Sequence, residues 1–148
     1  KDRDQKLKMG PIWDFNIAFG NVNYCNGENF DNWIFNYNDY CPDDFWQVPF
    51  WWSKLLEDPY FTKQVKARWQ ELRKDELSDK IIFGEIDLLV SELETLGASK
   101  RNFERWPILG QWIWPNSYLG TTYESEISYL KNWLSQRLTW MDSNIPSL

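Results

Sequence analysis

In "KMGPIWDFNIAFGN", residues 8–21, an apolar run ends at a carboxylate, Asp14, and a carboxamide, Asn16, follows two positions later. Side chains alternate along a strand, so continued strand geometry would point both oxygens to one face. Two hard oxygen donors suit magnesium, which takes one or two protein ligands and fills its shell with water and phosphate oxygens. Beside a nucleotide, that cation neutralises charge on the phosphates during phosphoryl transfer. The competing reading is a turn, because Asp and Asn also end strands by bonding to their own backbone.

Other constellations offer less. Asp43 and Asp44 in "CPDDFW" could act as an acid and base pair or bind calcium, but neighbours on an extended chain point opposite ways. A hydrated loop is the better reading there. Trp51, Trp52, Trp112 and Trp114 could stack sugar rings, although aromatics beside helical stripes more often fill cores. Trp133 and Trp140 flank a leucine stripe and read as core. Lys100, Arg101 and Arg105 lie near Trp106 and could receive an acidic or phosphorylated partner, or form an ordinary surface patch.

Composition removes whole mechanisms. The 148 residues include no histidine, so no Ser-His-Asp triad, Cys-His pair or histidine zinc site can be built. The two cysteines, Cys25 and Cys41, either pair or remain free thiols; pairing would close a loop and stabilise the fold by about 3 kcal/mol. A net charge of −6 argues against nucleic acid, which needs clustered Lys and Arg. Lys63, Lys66, Arg68, Arg73 and Lys74 share one expected helix with Glu71 and read as a solvated face. No apolar run is long enough to span a bilayer. The first residues, "KDRDQKLK", are no signal peptide, and the chain reads as a processed product or an excised piece.

At 43% apolar and 18% aromatic residues, with 11 tryptophans, the chain suits a single folded domain, residues 1–148. Three zones follow. Residues 1–20 are strand-like, with a strand at 6–13 read as one arm of a hairpin. Residues 21–49 are irregular and loop-like, rich in Asn, Asp, Tyr and Trp, with Gly27, Pro42 and Pro49 as breakers. From residue 50 to 148 the pattern is a helical body. Asp58 is the expected N-cap and Pro59 the first position of a helix whose stripe is Phe61, Val65, Trp69 and Leu72. A second helix starts at Ser78, carries Ile82, Ile86, Leu89, Leu93 and Leu96, and stops at Gly97. Trp106, Trp112 and Trp114, with Pro107 and Pro115, suggest a short helix followed by an extended, packed loop over 102–120. The last helix is expected to begin with a capping box of Thr121 and Glu124, to present Ile127, Leu130, Leu134, Leu138 and Met141, and to end at Pro146.

The segments "MGPIWDFNIAFGN", "WWSKLLEDPYFTKQVKARWQELR", "NFERWPILG" and "LKNWLSQRLTWMD" together resemble the C-terminal half of the CotH family, the spore-coat-protein-H-type atypical protein kinases of bacteria. The resemblance implies a mainly helical fold with a short N-terminal strand or hairpin remnant, similar to the C-terminal lobe of a kinase. It implies that Asp14 matches the Asp of the kinase Asp-Phe-Gly element, which binds the magnesium accompanying ATP. Asn16 is added from its position alone. The family's catalytic Asp and nucleotide-binding lobe come from segments before this element, so the 148 residues alone are expected to be inactive. In the intact parent the expected reaction is transfer of the ATP γ-phosphoryl group to Ser or Thr of a protein substrate. The alternative is a non-enzymatic module that binds a cell surface or carbohydrate. Localisation is not fixed by the segment; a secreted or cell-surface setting is favoured.

Overall fold

The computed structural model describes residues 15–45 and 47–148. Within them the chain is mainly helical and no strand is present. The strand expected at 6–13 lies outside the described residues. At the end of the zone read as strand-like, Phe15–Ala18 forms a single helical turn, α1. Residues 21–49 contain a 3₁₀ turn, Ile34–Asn36, and a short helix, α2, Tyr37–Tyr40. The body then comprises α3 (Trp51–Leu56), α4 (Pro59–Lys74), α5 (Asp79–Thr95), α6 (Ala98–Arg105) and α7 (Tyr123–Asn144), closed by a 3₁₀ turn at Ile145–Ser147. None of these helices is long and apolar enough to cross a membrane.

Helix α4 starts where its sequence dictates. The Asp58 carboxylate accepts from the Tyr60 N–H at 2.8 Å, and Pro59 occupies the first turn, where a missing N–H costs nothing. Arg73 and Lys74 in the last turn face the negative end of the helix dipole. Phe61, Val65, Trp69 and Leu72 are all half-buried, so the expected stripe is the packed face. Asp58→Ala is expected to cost about 1 kcal/mol, the usual value of such a cap, measured by urea denaturation of the full chain. No change in midpoint would mean that water replaces the cap without loss.

Helix α5 begins after Ser78 and stops at Gly97, which takes φ +64° and donates to Glu94 O at 2.8 Å. Its stripe is packed over only half its length. Ile82, Ile86 and Val90 are half-buried, whereas Leu89, Leu93 and Leu96 are exposed. The Trp-rich stretch after α6 also differs from expectation, since Trp106, Trp112 and Trp114 are all exposed rather than packed.

Helix α7 is the organising element. Its capping box is Thr122 with Ser125, one residue later than the expected Thr121 and Glu124. Thr122 Oγ1 accepts from Ser125 N, and Ser125 Oγ accepts from Thr122 N, both at 3.1 Å. Glu124 remains in the first turn, where its charge suits the dipole. Trp133 and Leu138 on α7, with Val22 and Ile145, are the buried hydrophobic residues of the described chain. The Asp142 carboxylate near the end of α7 ties it to α4, accepting from Trp69 Nε1 at 2.9 Å and from the Arg73 guanidinium at 3.0 Å. Lys131 pairs with Asp87 of α5.

Candidate functional site

Asp14 lies outside the described residues, and of Asn16 only the helical backbone is described. The strand alternation that placed their oxygens on one face therefore does not extend to Asn16, which sits in α1. What the structure does describe is how the chain immediately after them is held.

The turn after α1 closes at Gly20, whose N–H donates to Ile17 O at 3.1 Å with φ at +79°. Only glycine fits here. A Cβ would meet the Trp133 ring nitrogen at 2.1 Å, in a backbone conformation that L side chains rarely adopt. Phe19 meets the same indole edge-on, with ring centroids 6.5 Å apart. The Gly20 carbonyl accepts from Ser117 Oγ at 3.2 Å and from the Tyr129 hydroxyl at 3.4 Å. One residue on, Asn21 Oδ1 accepts from the backbone N–H groups of Ser117 and Tyr118, at 3.1 and 3.2 Å. Asn23 N donates to Pro115 O at 2.8 Å, and Tyr118 stacks on Tyr129 at 4.2 Å. The segment that follows "WDFN" is thus fastened both to α7 and to the turn preceding it.

The next loop is fastened in turn. Cys25 and Cys41 form a disulfide with a Cα–Cα distance of 5.5 Å, which decides between the two readings of these cysteines. Inside the loop that it closes, Trp133 Nε1 donates to Glu28 O at 2.8 Å. Arg137 Nη1 donates to Phe30 O and Asn32 O, at 2.5 and 2.7 Å. The guanidinium carbon also lies 5.6 Å from the Trp33 ring centroid and 4.8 Å from that of Trp140. Burial pulls the Arg137 pKa down from its ordinary value, and nearby Asp31 and Tyr40 oppose that shift.

The remaining candidates separate cleanly. Asp43 is exposed, while Asp44 turns inward and accepts from the Tyr37 hydroxyl at 2.6 Å. Burial, then the hydrogen bond to Asp44, push the Tyr37 hydroxyl well above its ordinary pKa, so it stays protonated. Trp51 and Trp52 meet edge to face at 69°, which gives no flat sugar platform. Trp114 stacks on Tyr24, with rings 11° from parallel and 6.1 Å apart, and remains 66% exposed. Lys100, Arg101 and Arg105 do not converge: Lys100 faces Glu104, Arg101 donates to Leu96 O, and Arg105 lies over Trp106.

Sequence reasoning assigned Trp133 to the core correctly but missed its role as the seat for Gly20. It missed Arg137 altogether. A signal was present there, since one cation sits on the apolar face of α7 four residues after Trp133 and beside Leu138.

Residues 1–141 match the family model described as CotH kinase protein. Comparison with curated proteins and with solved structures gives no match.

Proposed function

The chain belongs to the CotH kinase protein family, and we propose that it is the C-terminal part of an atypical protein kinase of that kind. In the intact parent the reaction is transfer of the ATP γ-phosphoryl group to Ser or Thr of a protein. The observation that carries this reading is the family match, which runs across the "WDFN" element and nearly the whole helical body. Asp14 is the proposed ligand of the magnesium that accompanies ATP, and Asn16 a second oxygen donor. A carboxylate with a carboxamide is a donor set that magnesium accepts. When bound, the cation neutralises charge on the phosphates. The chain's own contribution is positional: Trp133, Ser117 and Tyr129 fix the backbone a few residues beyond the proposed ligands. The catalytic Asp and the nucleotide lobe are assigned to upstream residues of the parent. The disulfide supports a secreted or cell-surface setting, because such bonds persist in oxidising compartments.

A second reading, a non-enzymatic module binding carbohydrate or a cell surface, is favoured by the exposure of Trp112 and Trp114. The two readings part in one experiment. The parent with its upstream region is incubated with magnesium and γ-labelled ATP, beside the 148-residue chain alone. Incorporated label is expected in the parent and not in the shorter chain. A folded parent that neither binds nucleotide nor takes up label would overturn the kinase reading. Affinity for oligosaccharide that is lost on Trp114→Ala would then support the second.

A further inference from the structure

The disulfide has a third neighbour that its closure does not require. The Cys25 and Cys41 sulfurs and an Asp44 carboxylate oxygen all lie within 4.8 Å of one another, and each residue is half-buried. Cys25 Sγ is 3.7 Å from Asp44 Oδ2. In a zinc tetrahedron with Zn–S near 2.3 Å and Zn–O near 2.0 Å, the sulfur–oxygen edge is about 3.5 Å. The Cα–Cα distance of 5.5 Å leaves room for the sulfurs to part to about 3.8 Å, the corresponding sulfur–sulfur edge. Asp44 is also oriented from outside the cluster, since the Tyr37 hydroxyl donates to Oδ2 at 2.6 Å. Hydrogen-bonded carboxylates of this kind are the rule around bound metals.

We propose that, once reduced, Cys25, Cys41 and Asp44 form a zinc site that closes the same loop the disulfide closes. Thiol–disulfide exchange with a dithiol reductant breaks the S–S bond. The reductant is oxidised to its own disulfide, and its two hydrogens pass to Cys25 and Cys41. Zinc then displaces both thiol protons and binds two thiolates and one carboxylate, with water in the fourth position. Half-burial shields the three ligands while leaving that position open to solvent. The loop held by Trp133 and Arg137 is thereby clipped in either redox state.

The test uses the full chain reduced with a phosphine and titrated with Zn²⁺ or Co²⁺ alone. Uptake of one metal ion per chain is expected, with a thiolate-to-cobalt absorption band and release of two protons. Asp44→Asn keeps an acceptor for Tyr37 and should weaken zinc binding by at least about 10-fold, the lower end of what loss of an outer partner alone costs. Its circular dichroism in the oxidised state shows whether the variant still folds. Cys41→Ser should remove the cobalt band. Reduced, helical protein that takes up no metal would overturn the proposal, as would unchanged zinc affinity in folded Asp44→Asn. None of these readouts depends on kinase activity.

Discussion

Asp14→Ala in the intact parent is expected to lower incorporated label by about 10²–10³-fold, the typical cost of removing one group that stabilises transition-state charge. The reasoning is electrostatic. The only carboxylate of the "WDFN" element is Asp14, and a magnesium ion deprived of it keeps water, phosphate and the neutral Asn16 oxygen but loses the charged ligand of that element. Loss of label with an unchanged helical spectrum would separate loss of the metal from loss of the fold. Asn16→Ala should cost less, because a neutral carboxamide contributes less to holding a dication than a carboxylate does. Asp14→Ala retaining more than a tenth of the parent's label would remove this residue from the proposed metal site. A binding module without kinase chemistry would be indifferent to the change.

Trp133→Ala should be the most damaging truncation for stability, at about 3–5 kcal/mol, the usual cost of deleting a buried large aromatic. Several losses coincide. The indole is 8% exposed, forms the wall that Gly20 is pressed against, and donates to Glu28 O at 2.8 Å. Removing it opens a cavity and leaves that carbonyl to find water. Trp133→Phe keeps much of the volume but no donor, and should lie between wild type and the alanine variant. Urea denaturation of the full chain measures both. A loss below 1 kcal/mol for Trp133→Ala would mean that the Gly20 segment finds another seat.

The helices were readable wherever local chemistry decides. Asp58 with Pro59 and the αL glycine Gly97 need only their neighbours, and both behave as their types require. The α7 box slipped by one because Thr121 and Thr122 are adjacent and equally able to cap. The choice rests on Ser125, and Glu126 instead accepts from Gly120 N at 2.6 Å. Exposure of Leu89, Leu93 and Leu96 was not readable, because periodicity gives a face but not what lies opposite it. The seat of the segment that follows "WDFN" was hidden for the same reason: Gly20 and Trp133 become neighbours only through the tertiary fold. The Cys25–Cys41 pairing also depended on distance in space, which spacing in sequence leaves open. For the candidate site itself, Asp14 came from the resemblance and Asn16 from alternation. Alternation along a strand does not hold at Asn16, whose backbone is helical.

The fastening of residues 20–32 to α7 and its preceding turn also sets an order of assembly on the ribosome. The partners of this segment arrive late, with Trp133 lying 105 residues beyond Glu28 and Tyr129 lying 109 beyond Gly20. At about 5–20 residues per second, Glu28 waits roughly 5–20 s before its donor has been synthesised. The backbone hydrogen bonds inside α4 and α5 join residues close in sequence and can form within that interval, whereas the ties of both helices to α7 come later. The stretch next to the proposed metal ligands is thus made well before the helix that seats it.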